Sequence, residues 1–211
     1  MSTFLENQNW RYATKKFDAT KKITDADIAF LKEAIRLSTS SYGLQPYRVF
    51  IVENPELRAK LVAASYGQAQ VADASHLLVF ANELNFGEAG IDQLATTICK
   101  TRELPLEAIQ GYVDYMKGNI TGLPEEVRNI WTAKQTYLAL GNLMTVCSVE
   151  EIDSCPMEGF LPEKYDEILD LKTKNLKSVL VMPVGYRSVD DQFSSFKKVR
   201  KDINDNTIEL K

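Results

Sequence analysis

Two short cationic runs lie near opposite ends of the chain, Arg11-Tyr12-Ala13-Thr14-Lys15-Lys16-Phe17 and Lys197-Lys198-Val199-Arg200-Lys201. Arginine presents a planar fork of donors and lysine a mobile point charge. Folding that joined the two runs would therefore aim both at one anion, for which phosphate is the natural candidate. Taken singly, each run also fits an ordinary solvated face. Between them lie small polar groups suited to a planar phosphorylated ligand: Ser40 and Ser41, Gln68 and Gln70, and the turn Pro156-Met157-Glu158-Gly159. From residue types alone this reads as binding of a phosphorylated small molecule.

Other chemistries lack parts. No G-x-G-x-x-G and no G-x-x-x-x-G-K-[ST] occurs, so the standard dinucleotide and P-loop signatures fail. His76 is the one histidine, which leaves a His-rich metal site or a Ser-His-Asp relay incomplete. It opens the apolar run Leu77-Leu78-Val79-Phe80 and reads as a hydrogen-bonded residue at a strand start. Cys99, Cys147 and Cys155 are odd in number and far apart or in apolar company, which fits buried thiols in a reducing compartment. Asp190-Asp191 and Glu150-Glu151 read as surface pairs, with nothing to isolate an acid–base couple.

The chain has 211 residues, 45% hydrophobic and 26% charged, with a formal net charge of −4. That length can bury a sizeable core. The acidic balance argues against a nucleic-acid partner, since proteins that live on phosphate-backbone contacts are usually basic. No apolar run reaches bilayer length and Met1-Ser2-Thr3-Phe4 carries no leader pattern, so a cytoplasmic protein with no membrane partner is expected. No linker, repeat or low-complexity tract divides residues 1–211, which predicts a single domain.

The elements that must position these groups follow from spacing. Thr24 and Asp27 form a capping-box pattern ahead of Ile28, Leu31 and Ile35, predicting a helix that ends in the polar loop 37–46. Val49–Val52 and Leu77–Phe80 read as strands covered on both faces, with a helix between them opened by Asn54-Pro55 and running to about Ser65. Helix is expected over 90–117, interrupted at Glu103-Leu104-Pro105 and Gly111, and again over 125–149. There Ile130, Ala133, Tyr137, Leu140, Met144 and Cys147 recur at helical intervals and point to a helix buried in the core. A short strand over 152–160 leads into a turn, Pro162 opens a short helix, and strands are expected at Ser178–Val184 and Thr207–Leu210. The connections 82–90 and 117–124 look long enough to be flexible or functional.

Six motifs then recur in order and spacing: Arg11 to Asp18, Ser40-Ser41 with Gln45-Pro46-Tyr47, Asp73 to His76, Pro156 to Phe160, Pro183 to Tyr186, and Lys198-Val199-Arg200. In these the chain resembles the nitroreductase family, in its oxygen-insensitive nitroreductase and NAD(P)H-dependent flavin reductase branch. The resemblance implies an α+β fold with a mostly antiparallel central sheet flanked by helices. It also implies a homodimer with two FMN sites at the interface and a C-terminal extension that adds a strand to the partner's sheet.

Carried over by position, Arg11, Lys198 and Arg200 would grip the FMN phosphate. Tyr12 and Ala13 would lie along the same cofactor-binding segment, and Lys15 would sit by the N1/O2 edge of the ring. Ser40, Ser41 and Gly43 would come from the other subunit. Pro156, Met157, Glu158 and Gly159 would lie on one flavin face with the amide of Glu158 or Gly159 directed at N5, which makes Lys15, Glu158 and Gly159 the catalytic candidates. Gln68 or Gln70 would supply an amide to the pyrimidine edge.

The chain departs from many relatives at Gly43, Gly67 and Gln70, where asparagine or a second lysine is common. The family's covering aromatic has Tyr112 and Tyr115 as candidates, with Val113 at the aligned position. The activity implied is ping-pong hydride transfer from NADH or NADPH through FMN to a nitroaromatic, quinone or similar flat acceptor, with no metal. Two alternatives are a flavin-dependent reductase of one narrow substrate, such as a dihydropteridine or enone, and a non-catalytic flavin-binding or storage protein.

Overall fold

The computed structural model describes residues 3–210. Met1, Ser2 and Lys211 lie outside the described residues, so of the stretch read for a leader only Thr3 and Phe4 are seen. They open helix α1 (Thr3–Trp10), which buries no side chain. A helix without an apolar stripe leaves no periodic signal, which is why the pattern does not reveal it.

Helix α2 (Asp25–Arg36) starts as its capping box predicts. The Asp27 amide donates to Thr24 Oγ1 at 3.1 Å and the Thr24 amide donates to Asp27 Oδ2 at 3.1 Å. A cap of this kind contributes about 1 kcal/mol. Helix α3 (Pro55–Ala63) has Asn54 as its cap, with Asn54 Oδ1 accepting from the Leu57 amide at 2.9 Å. Helix α4 (Gln70–Asp73) is a single turn. The buried Arg58 donates to the carbonyls of Val71, Ala74 and Ser75, so a charged side chain satisfies the orphan acceptors where α4 ends.

Four antiparallel strands form the sheet in the order β1 (Tyr47–Val52), β2 (His76–Glu83), β4 (Leu176–Gly185), β3 (Asp153–Ser154). β2 is central and fully buried from His76 to Asn82, as its unbroken apolar run predicts. Leu78 and Phe80 share a cluster with Leu31, Leu140, Leu143 and Met182, while Leu77 and Val79 share another with Leu61, Val71, Tyr165 and Val181. Each such side chain contributes about 1.5–3 kcal/mol by leaving water, as an upper figure. β1 corrects the reading: it is an edge strand, and Val49, Phe50 and Ile51 are half-buried. An apolar run alone cannot tell a central strand from an edge that something else covers.

The long helix α7 (Glu125–Val149) has the predicted span, but its buried face differs. Thr132, Gln135, Thr136, Ala139, Leu140, Leu143 and Cys147 face inward, whereas Ile130 and Tyr137 are 50% and 42% exposed. Apolar residues all round the helix hid which face its own chain covers. Helices α5 (Glu88–Arg102) and α6 (Gln110–Thr121) pack on each other around Ile91, Val113 and Met116, and Lys117 bridges Glu88 and Asp92. Glu103, left-handed at φ 53°, ends α5 where the interruption is expected. Gly111 does not break α6, because it sits in its first turn where little hydrogen bonding is at stake. The connections at 82–90 and 117–124 are also shorter than expected: β2 runs to Glu83, α5 starts at Glu88, and α6 continues to Thr121.

Helix α8 (Pro162–Ile168) starts at Pro162 as predicted and buries Tyr165. Beyond β4 the chain leaves the sheet, and after a short helix α9 (Ile203–Asn206) the segment Thr207–Leu210 is exposed and joins no strand of its own chain. The expected terminal strand is therefore absent among the described residues of the protomer. The class is α+β with an antiparallel sheet, as the family resemblance implies. Among the described residues no helix is long and apolar enough to cross a membrane, and no three metal-ligating side chains converge.

Candidate active site

The first cationic run is held against the rim of the sheet. Ala13 forms a parallel bridge to Ser154, the Thr14 amide donates to the Ser154 carbonyl at 3.3 Å, and the Asp18 amide donates to the Tyr186 carbonyl at 2.9 Å. Beneath it, buried Asp153 accepts from the Arg187 amide and from Arg187 Nε, both at 2.8 Å, and from Thr14 Oγ1 at 3.3 Å. The Arg187 guanidinium lies over the rings of Trp10 at 4.1 Å and Tyr12 at 4.6 Å. One buried ion pair thus fixes where the segment enters, and Trp10 packs on it.

The second fixing point is Asp191, which the sequence reading placed on the surface. It is 3% exposed. Its Oδ2 accepts from the Tyr12 hydroxyl at 2.9 Å and from the amides of Lys15 at 2.9 Å and Lys16 at 3.0 Å, and its Oδ1 accepts from the Phe193 amide at 3.2 Å. Burial alone would raise this carboxyl. The amides of Lys16 and Lys15, the Tyr12 hydroxyl and the Phe193 amide outweigh it, so the group lies below its ordinary value and stays ionised. Burial and the bond to Asp191 push the Tyr12 phenol upward, so it remains a donor. Asp190, its neighbour, is a surface residue paired with Lys16 at 3.1 Å.

Together these ties fold the C-terminal run back onto the N-terminal one. Arg11, Tyr12, Ala13, Lys15, Lys198 and Arg200 line one cleft of about 360 Å³. Lys198 Nζ donates to the Arg11 carbonyl. Burial and the nearby Arg200 charge lower Arg11, and burial with the charges of Arg11 and Arg200 lowers Lys198. Among the described residues none of the three has a carboxylate in salt-bridge range. Three half-buried or exposed cations that repel one another and lack an anion make a site that an anionic ligand would stabilise.

From the cleft, Lys15 reaches toward the residue that precedes the predicted turn. Lys15 Nζ lies 3.9 Å from the sulfur of buried Cys155, whose thiol is raised by burial and drawn back by the Lys15 charge. Pro156 interrupts β3, and Met157 then re-pairs with Val181 through reciprocal amide–carbonyl bonds of 2.8 and 3.0 Å. Glu158 and Gly159 are left exposed on the surface beyond. Gln68 Nε2 donates to the Gly159 carbonyl at 2.7 Å and Gln70 Nε2 donates to Gln68 Oε1 at 3.1 Å, so both glutamines brace the turn. Tyr137, pushed up to about 12 by burial and its acidic neighbour, donates to Glu158 Oε1 at 2.7 Å. The amides of Glu158 and Gly159 donate to no protein acceptor among the described residues.

Ser40, Ser41 and Gly43 do not line this cleft. Ser40 Oγ accepts from the Gln45 amide at 2.8 Å, the Ser41 amide donates to Gln135 Oε1 at 2.8 Å, and Gly43 lines a separate groove of about 700 Å³ beside β1. Tyr42 between them is left-handed at φ 56° and rests on Tyr112 and Tyr115, each 6.4 Å away between ring centroids. Val113, at the position aligned with the family aromatic, is buried in the α5–α6 core, so it covers nothing, while Tyr112 and Tyr115 are exposed.

A sequence model described as the nitroreductase family matches residues 9–186. The chain belongs to the nitroreductase family. Over 197 residues it is 36% identical to a Bacillus subtilis (strain 168) protein provisionally named NAD(P)H nitroreductase YfkO, covering 88% of this chain and 89% of that one. A Staphylococcus epidermidis protein, also provisionally named an NAD(P)H nitroreductase, is 36% identical over 209 residues, with 95% of each chain covered. Among solved structures, a provisionally named nitroreductase from Exiguobacterium sibiricum in complex with FMN has a TM-score of 0.84 at 22% identity, covering 100% of this chain and 98% of that one. Membership places the protein among flavin-dependent oxidoreductases that use NAD(P)H.

The donor set fits a flavin mononucleotide at the phosphate. Arg11, Lys198 and Arg200 offer forks and a point charge with no competing carboxylate. The structure brings Arg11, Lys15, Lys198 and Arg200, which the sequence put forward, to one cleft. Sequence reasoning missed Asp191, Tyr137 and the Asp153–Arg187 pair, whose roles depend on long-range contacts that no local spacing announces.

Proposed function

We propose that this nitroreductase-family protein is an FMN-dependent NAD(P)H oxidoreductase acting on nitroaromatic, quinone or similar flat acceptors by ping-pong exchange. The observation that carries the reading is the cluster of Arg11, Lys198 and Arg200, none with a carboxylate in salt-bridge range among the described residues, lining one cleft together with Lys15. Bound FMN would supply the hydride chemistry. Arg11, Lys198 and Arg200 would neutralise the phosphate, each charge-assisted contact contributing about 1.5–3 kcal/mol. Lys15 would provide a fixed positive charge toward the ring end, favouring its electron-rich form. Gln68 and Tyr137 would hold the turn so that the two unpartnered amides of Glu158 and Gly159 remain aimed outward as donors. The acceptor's proton would come from solvent.

The reading includes a homodimer with sites at the interface, the partner's Ser40–Gly43 loop completing each cleft. Support comes from surface that one protomer leaves bare. Ile130 and Leu138 on α7 are exposed, and so are Val199, Ile203, Ile208 and Leu210 on the C-terminal extension. β1 is an open edge beside an apolar groove, and edges of that kind accept an added strand. A visible absorption spectrum of the purified protein, followed by stopped-flow mixing of the flavin-loaded form with NADH and with NADPH, tests the function. Flavin bands that bleach with at least one donor on a turnover timescale are expected. A protein without flavin bands that also fails to bind added FMN, or a loaded form that neither donor bleaches, would overturn it.

A further inference from the structure

We propose that Asp191 is the positioning residue that brings the two cationic runs into register as one phosphate grip. It touches neither Arg11, Lys198 nor Arg200 by any side-chain bond. It acts through backbone. One carboxylate oxygen gathers the Tyr12 hydroxyl and the amides of Lys15 and Lys16 from the N-terminal wall of the cleft. The other takes the amide of Phe193, where the chain turns toward Lys198 and Arg200 on the opposite wall. The Asp191 amide donates in turn to the Ser188 carbonyl at 3.1 Å, so the carboxylate stands on the connection from β4.

The Ser188 amide on the Lys16 carbonyl at 2.9 Å and the exposed Lys16–Asp190 pair tie the run to the β4 connection, but among the described residues this carboxylate alone gathers donors from both Tyr12–Lys16 and Phe193, and the Lys198 contact to the Arg11 carbonyl is the other tie across the cleft. That other tie is made by one of the grip's own cations, which cannot both hold the wall and give its full charge to a ligand. At 3% exposure the carboxylate does not face the cleft as a competing anion. A buried negative group behind a cationic site would otherwise cancel part of its field; here its charge is spent on four donors. The requirement is therefore for an acceptor of carboxylate shape at this position, and neither packing nor surface charge would demand one.

The proposal rests on the phosphate reading above, and the test separates the two. The probes are FMN and riboflavin, which share the ring and differ in the phosphate. Dissociation constants for each are measured by flavin fluorescence on the flavin-stripped full-length chain, wild type and Asp191→Ala, with the melting temperature of the stripped proteins alongside. Wild type should prefer FMN over riboflavin by a wide margin, and Asp191→Ala should cut that preference about tenfold or more, the loss of one well-made charged contact. A residue that merely stabilised the fold would weaken both ligands alike. A preserved FMN-to-riboflavin ratio in Asp191→Ala overturns the positioning role while leaving the phosphate grip standing. No FMN preference in wild type overturns the grip itself. If Asp191→Ala does not fold, the ratio is read on Asp191→Asn. Its amide can accept for one set of donors and must face the other with N–H, so the ratio should still fall about threefold or more; an unchanged ratio there rejects the proposal.

Discussion

Replacing Arg11 by alanine should separate ligand binding from fold stability. The guanidinium does little for the fold: its side-chain bond is a long 3.4 Å donation from Nε to Gln8 Oε1, worth less than about 1 kcal/mol. It is held instead among like charges, lowered by burial and by Arg200, while it lowers Lys198 in turn. Its removal relieves that repulsion, so the flavin-free variant should melt at the wild-type temperature or slightly above. FMN binding should suffer. A charge-assisted contact to phosphate contributes about 1.5–3 kcal/mol, and because Arg11 is partly open to solvent the lower half of that range applies, or roughly 10–40-fold in affinity. The assay is a fluorescence titration of stripped protein with FMN at two salt concentrations, the variant showing the shallower salt dependence. An FMN affinity that is unchanged, together with a flavin-free melting temperature lower by more than about 3 °C, the size of a 1 kcal/mol loss in a chain of this length, would make Arg11 a structural residue and refute the reasoning.

Lys15→Ala should slow flavin reduction by about tenfold or more even when FMN is saturating, because it removes charge from the ring end of the cleft; equal stopped-flow rates would strip Lys15 of that role. Arg187→Ala should cost about 3–5 kcal/mol in denaturant unfolding, since it leaves Asp153 buried without its counter-charge. Asp153→Asn combined with Arg187→Met should recover a large part of the loss, and a single-variant cost below about 1 kcal/mol would show that the pair does not anchor the segment. His76, the one histidine, is lowered from 6.5 chiefly by burial, against the opposing charge of Glu53 at 3.4 Å. The unfolded chain therefore takes up the proton more readily, and stability should fall as pH drops through the window just below 6.5. Imidazole NMR would report the titration midpoint directly, and a midpoint at or above 6.5 contradicts the assigned environment.

Elements with their own periodic or capping signal were legible. The capping box of α2, the Asn54 cap of α3, the span of α7 and the apolar run of β2 all appear where spacing puts them. What failed was anything set by the rest of the molecule. α1 buries nothing and so leaves no stripe. β1 reads as covered on both faces, yet it lies at the sheet edge with Val49, Phe50 and Ile51 only half-buried, and α7 shows apolar residues on a face that its own chain does not cover. In both cases the apolar pattern is wider than the face that the protomer itself covers. Thr207–Leu210 is the same case, with strand-like composition and no strand partner in its own chain.

The site shows the complementary limit, and two adjacent pairs expose its cause. Lys15-Lys16 and Asp190-Asp191 are each chemically uniform, and composition gives no ground for telling the members apart. Lys15 and Lys16 lie in a bend, so both amides turn to one Asp191 oxygen while their side chains part. Lys15 Nζ thus approaches Cys155 in the cleft, while Lys16 pairs with Asp190 at the surface. On the facing turn Asp190 points outward, its side chain 70% exposed, and Asp191 inward to four donors. The two pairs read each other: the outward members form a solvent-screened ion pair worth at most about 1 kcal/mol, and the inward members set the cleft. A one-residue slip of either segment would exchange these roles without changing the composition. The register of 11–17 against the β3–β4 edge, fixed by Ala13–Ser154 and Phe17–Arg187, is therefore as much a determinant of the site as the identity of its cations.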